Sequence, residues 1–420
     1  MPIYYIDNVN GNDKFDGLSP ESAKRDYLTI DVKPGDTLLF KCETIHRGRL
    51  ETVAGEEGAW VTYGAYGEGE LPKFCGSTDV SEPSDWVEID ENIWECQKAI
   101  PGEVGNFEFD INNCSATLRW TRDELAGQGD FWDSRVKGEA LYYLNEPVPE
   151  QQVLLYSAGN PATVYSHIEC ISWNTRVLID PKDYNRYESL HLRNSAVHAI
   201  AGHANHVEVV DCMIENIGGC PWNANLKIRL GNGVEFYGYG SYILVEGCHF
   251  KNIYDSCVTH QGPGADTVPT VEFICRNNVF DTYSMAAFEY RDKMPINSSF
   301  TGNTCIDAGC GFGMLGETLP RKSEIWPQPM GHHIFMWRIP EVEEGGNLVI
   351  EDNYFGEALV GAAIYSIISP EAEAQVKLAN NTFTKNDTLL VRWGGENYND
   401  LEAYKTATGQ DTGSNYDEEE

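Results

Sequence analysis

One short refrain recurs from about residue 187 onward, and it restricts the possible folds more than any other feature of this chain. Its copies read ESLHLRNSAV (188–197), HVEVVDCMIEN (206–216), YILVEGCHFKN (242–252), VEFICRNNVFDT (271–282), SFTGNTCIDA (299–308), LVIEDNYFGEA (348–358) and VKLANNTFTKN (376–386). Each copy is a short alternating strand, a small residue at a bend, and then an aliphatic or aromatic residue. With Asn194, Cys212, Cys248, Asn278, Asn303, Asn353 and Asn381 as the repeated position, the steps are 18, 36, 30, 25, 50 and 28. Irregular steps of this kind describe a repeating coil with loops inserted on one side. The expected fold is all-β: a right-handed parallel β-helix in which inward side chains stack from coil to coil. Asn suits the bend because it tolerates the left-handed conformation and bonds to its neighbours along the stack. A β-sandwich would need hairpin signals between strands, and Asn-Gly or Asp-Gly turns are scarce in this half.

The totals agree with many turns and a sizeable core: 40 glycines and 41% hydrophobic residues in 420. Against 65 acidic residues stand 30 basic ones, for a formal charge of −35. Such a surface repels nucleic acid and anionic lipid, so neither is an expected partner. It also disfavours a polyanionic substrate unless a local arginine cluster overrides the field. No run reaches the ~18 apolar residues of a membrane span. The start, MPIYYIDNVNGND, lacks the charged and apolar regions of a signal peptide; a cytoplasmic location, or secretion with the signal removed, is therefore expected. The twelve cysteines include Cys212, Cys220, Cys248, Cys257, Cys275, Cys305 and Cys310, which form no CxxC pair and read as small core residues. No metal or cofactor is expected. His332 and His333 are adjacent rather than in HExxH spacing, and DNVNGNDKFDG lacks the full EF-hand pattern, although its oxygen supply leaves a structural Ca²⁺ conceivable.

YYIDNVNGNDKFDGLSPESA, PGDTLLFK, YGAYGEGELP and the NNVF and NNTF coils resemble carbohydrate-active proteins of the pectin-lyase-like β-helix superfamily, across most of residues 1–390. That superfamily includes glycoside hydrolases, polysaccharide lyases, esterases and epimerases, so the resemblance implies the fold and a sugar substrate rather than one reaction. The expected organisation is opening coils over 1–84 and a β-rich insertion over 85–186, containing GDFWDS and ALYYL. Regular coils carrying the site follow over 187–395, and an acidic, partly disordered tail over 396–420.

Aligning the copies turns spacing into geometry. Val234, Val258 and Phe288 fall inside, and Glu235, Thr259 and Glu289 form an outward file; the next copy adds Gly313 inside and Met314 outside. Rungs lie ~4.8 Å apart, so the backbones of Glu235 and Glu289 should be about 10 Å apart. Asp255 precedes Thr259 in the turn of YDSCVTHQ. Neighbouring carboxylates repel, which can keep one protonated beside an ionised partner, the arrangement that glycosidic cleavage requires. Asp255 with Glu289 would suit retention, and Glu235 with Glu289 inversion. The expected roles are Glu289 as general acid, Asp255 as partner carboxylate, and Glu235 as water-activating base or sugar ligand. A solvated glutamate or a self-bonding turn aspartate competes with each role.

His203, Arg229, His260, Gln261, Arg291 and Trp337 are the candidate substrate contacts, although alternation points His260 inward. Two insertions, 218–233 and 316–346, could wall a cleft, the second bringing Trp326, His332, His333, Trp337 and Arg338. The reading is a glycoside hydrolase acting on a neutral or weakly charged oligo- or polysaccharide. A uronate-directed lyase using Arg229, Arg291 or Lys293, and a non-catalytic glycan-binding solenoid, are the alternatives. Oligomeric state is left open.

Overall fold

The computed structural model describes residues 1–111, 113, 116–138, 150–173, 176–315, 330–385 and 389–417. Three long sheets run the length of the molecule, two of ten strands and one of nine. A regular coil contributes one strand to each. The coil that begins at Ile243 shows the pattern: Ile243–Glu246 in the first sheet, His249–Ile253 in the second and Ser256–Gln261 in the third, before the chain returns to the first at Phe273–Arg276. Pairing between successive coils is parallel, as in Ile243↔Phe273, His249↔Val279 and Val258↔Phe288. This is a right-handed parallel β-helix.

Alternation explains the interior. In the second sheet Ile214, Phe250, Phe280, Cys305, Phe355 and Phe383 occupy one register column, and all are fully buried. Phe250 stacks on Phe280 with centroids 4.9 Å apart. Full burial of such a ring contributes about 1.5–3 kcal/mol. The eleven described cysteines are free thiols, and all but Cys310 are buried.

The bends carry an amide ladder. Asn278 Nδ2 donates to Asn303 Oδ1 (3.0 Å), Asn303 to Asn353 (3.1 Å), Asn353 to Asn381 (3.0 Å) and Asn381 to Asp411 Oδ1 (2.7 Å). Each asparagine oxygen also accepts a backbone N–H from the preceding coil, as Asn278 Oδ1 does from Cys248 (2.9 Å). The left-handed residue is the one before the ladder position: Asp211, Gly247, Asn277, Gly302, Asp352 and Asn380 all have φ between 50° and 65°. Asn194 is out of register with the others. It stands four residues further along its coil and heads a second ladder, in which Asn216 Nδ2 donates to Asn194 Oδ1 (3.1 Å) and Asn252 Nδ2 to Asn216 Oδ1 (2.9 Å).

The insertion begins and ends earlier than 85–186. The chain leaves the helix after Lys73–Cys75 and rejoins it at Val177–Ile179. Between these points lie a five-stranded and a three-stranded sheet around Trp86, Phe107, Phe109, Phe131, Val153 and Ile168. GDFWDS forms the strand Asp130–Asp133, whereas ALYYL falls outside the described residues. In the region read as a tail, the described residues hold a strand, Glu396–Tyr398, and a helix. Helix Leu401–Thr408 buries Leu401 and Tyr404 over the last coil, with the Tyr404 ring 5.5 Å from Tyr398 and 6.5 Å from Trp393. Disorder was expected from the acidic composition, but the open end of a β-helix needs a cover, and this helix supplies one.

Candidate active site

A cavity of about 450 Å³ opens on the outer face of the third sheet, within the range of roughly 300–1,000 Å³ common for small-ligand sites. Its floor is built from successive rungs. Asn232 and Glu235 come from the segment entering and forming Val234–Tyr237, Gln261 from the next strand and Arg291 from the one after. The hairpin of Cys220–Asn223 and Ile228–Leu230 raises one wall, bringing Trp222 and Arg229; Pro263 and Arg338 close the other side.

The outward file is observed where sequence alternation put it, with Glu235 paired to Thr259 and Thr259 to Glu289. Beyond Glu289 the register expectation fails. Its partner is Phe335, and that of Phe288 is Ile334, while Gly313 and Met314 lie in a 3-10 turn, Phe312–Met314. The third-sheet strand of that coil comes only after the long insertion, at His332–Trp337.

Of the three candidate carboxylates, Glu235 alone lines the cavity among the described residues. Its Oε2 accepts from Asn232 Nδ2 and from Gln261 Nε2 (2.8 Å) and lies 3.5 Å from His198 Nδ1. That histidine nitrogen accepts the Asn232 backbone N–H at 3.0 Å, so the proton of the neutral ring sits on Nε2.

Glu289 is outward in register but is roofed over and fully buried. Its Oε2 accepts from Ser256 Oγ (2.8 Å) and Thr259 Oγ1 (3.2 Å), its Oε1 from Trp337 Nε1 (2.8 Å), and Arg291 stands 3.9 Å away. An exposed general acid at this position is therefore corrected to an enclosed, multiply bonded carboxylate. Asp255 is fully buried as well, at the bend between the second and third sheets, where its N–H donates to Gly231 O (3.1 Å). It is absent from the cavity lining.

The proposed contacts divide in the same way. Gln261, Arg291 and Arg229 line the cavity. Arg229 is buried against Tyr254, its guanidinium 4.7 Å from the ring centroid, and donates to Gly219 O (2.6 Å) and Gly105 O (2.5 Å), tying the hairpin to the insertion. His203 is exposed outside the lining, stacked on Tyr239. His260 is a core residue, stacked on Tyr290 at 5.3 Å, and burial pushes its pKa down to about 3. Trp337 is 2% exposed; it lies beneath Arg291 and Arg338, whose guanidinium carbons sit 5.1 and 5.3 Å from its ring. It is a post under the arginines, not a sugar platform. His332 and His333 are buried and held neutral, with pKa values near 3 and 4, and Trp326 falls outside the described residues. Among the described residues no group of three or more His, Cys, Asp or Glu is placed to hold a metal ion.

The sequence reading did not single out His198, Asn232 or Tyr237. His198 opens the strand His198–Gly202, in which both Ala199 and Ile200 are buried, and Asn232 precedes the strand Val234–Tyr237. The only sequence signal for them was the Gly231–Gly233 pair beside Asn232.

No family model matches the sequence, and no curated protein matches it. Among solved structures the chain is similar to a GH136 lacto-N-biosidase from Eubacterium ramulus, at 13% identity and a TM-score of 0.52, over 94% of this chain and 62% of that one. It is also similar to XylC in complex with xylose, at 12% identity and a TM-score of 0.55, over 92% of this chain and 62% of that one. The chain thus spans less than two thirds of the length of either. What the chain shares with them is the fold, here a right-handed parallel β-helix.

Proposed function

We propose that this protein is a carbohydrate-active enzyme that hydrolyses a glycosidic bond in the third-sheet cavity, with Glu235 as the proton-transferring carboxylate. The observation that carries the reading is the carboxylate itself, set in the floor of the cavity, oriented by Asn232 and Gln261 and adjacent to His198. Proton transfer by such a group is worth ~10²–10⁴ in rate. His198 Nε2–H supplies a donor for a sugar hydroxyl. Glu289 and Asp255 become positioning residues: Glu289 ties Ser256, Thr259 and Trp337 together behind the floor.

The charge balance favours a neutral or weakly charged glycan over a uronate. Arg291 Nε lies 3.5 Å and Arg338 Nε 3.2 Å from Asp292, Lys293 pairs with Glu343 at 3.3 Å, and Arg229 is engaged by two carbonyls. Elimination next to a uronate would need one of these cations to neutralise the substrate carboxylate. The lyase alternative therefore has less support than hydrolysis.

The test is reducing-end release over a panel of neutral and acidic glycans, with ultraviolet absorbance of the products recorded in parallel. Hydrolysis predicts new reducing ends without an absorbing product, lost in Glu235→Gln. An absorbing unsaturated product would replace this reading with elimination. Binding without turnover on any glycan would make the protein a reader of sugars.

A further inference from the structure

The cavity does not end at Glu235. Tyr237, two residues on and facing the same way, lines it and is 39% exposed; Tyr239, beyond it, is 43% exposed. His203, from the coil below, stacks on Tyr239 with centroids 5.1 Å apart and meets Tyr237 edge-on at 6.2 Å. The local sequence FYGYGSY explains how tyrosines so close in sequence can both reach solvent. Gly238 has φ +84°, which lets the chain turn between them, and a Cβ on Gly240 would sit 2.7 Å from the Phe236 ring. Between Glu235 and Ile243 there is no charged residue, in a chain whose net charge is −35. The opposite rim carries another exposed ring, Trp222 at 37%.

We infer that Tyr237, Tyr239 and His203 form a further sugar-binding subsite, so that the substrate is an uncharged oligosaccharide chain that leaves the cavity over this platform. The inference rests on the cavity being the place where a glycan is cut. Pyranose C–H groups meet aromatic faces favourably, as other positively polarised groups do, and a platform of this size is otherwise an apolar surface left in water. Continuity through Tyr237 fixes the occupant as an extension of the chain held in the cavity, and the uncharged segment 236–242 offers no partner for a charged one.

The test is a comparison of kcat/KM on disaccharide and hexasaccharide members of the xylo-, cello- and galacto-oligosaccharide series. Wild type is compared with Tyr239→Ala, Tyr239→Phe, His203→Ala and Glu235→Gln, with thermal melting to verify folding. The expected result is a hexasaccharide advantage that falls roughly three- to tenfold in Tyr239→Ala and His203→Ala and is retained in Tyr239→Phe. An unchanged advantage in Tyr239→Ala, with turnover still abolished in Glu235→Gln, overturns the subsite and leaves the cavity reading standing. Turnover that survives Glu235→Gln, or no turnover by wild type on any series, overturns both.

Discussion

Replacing Glu289 with leucine separates a carboxylate that holds the wall from one that performs the chemistry. The substitution leaves the Trp337 indole N–H and the Ser256 and Thr259 hydroxyls without the acceptor they share, in a site from which water is excluded. A buried donor left unsatisfied costs about 1–3 kcal/mol. The indole cannot re-aim and bears that cost in full, whereas each hydroxyl can rotate and recover about half of it, so the expected loss is about 2–6 kcal/mol. Glu289→Gln keeps one acceptor oxygen and should lose about 1–2 kcal/mol. Guanidinium chloride titration followed by circular dichroism reads both values as midpoint shifts at unchanged slope. If Glu289→Leu unfolds within about 1 kcal/mol of wild type, the bonds described here do not support the wall, and the positioning role is refuted.

Two further outcomes follow from the interior. Asn303→Ala removes the acceptor for the Asn278 backbone N–H and the donor to Cys275 O in the middle of the amide ladder, and should cost about 2–4 kcal/mol in the same titration. His260, His332 and His333 are held neutral by burial at pKa values of about 3, 3 and 4, below the ordinary 6.5. The unfolded chain therefore binds more protons between those limits, and the stability these residues contribute, complete above about pH 6.5, is lost as pH falls towards 3. By pH 4.5 each forfeits about 2–3 kcal/mol, so the melting temperature should drop steeply across this window, and less so in His260→Gln.

The coils were legible because inward alternation and bend asparagines repeat locally. Val258↔Phe288 and Glu235↔Thr259 follow from counting along two strands. Counting failed at Met314, where an insertion displaces the third-sheet strand to His332–Trp337. It also failed at Asn194, because two bends in one coil favour the same residue type. Burial at the site was less legible still. Alternation shows that Glu289 points away from the core, but its cover, Trp337, comes from a coil 48 residues away. Asp255 drew attention as a turn carboxylate beside the outward file and His260 as a polar residue in the next strand, yet both are fully buried. Tail order was hidden for the opposite reason: seven of the last residues, SNYDEEE, advertise solvent, while the covering helix just before them buries Leu401 and Tyr404.

On the reading proposed here, Glu235 and not Glu289 transfers the proton. The most direct measurement is kcat/KM for Glu235→Gln and Glu289→Gln side by side on one glycan that wild type cleaves, at a temperature where both variants are folded. The expected result is a loss of at least a hundredfold for Glu235→Gln and less than tenfold for Glu289→Gln. The reverse order would contradict it and return the chemistry to the buried carboxylate.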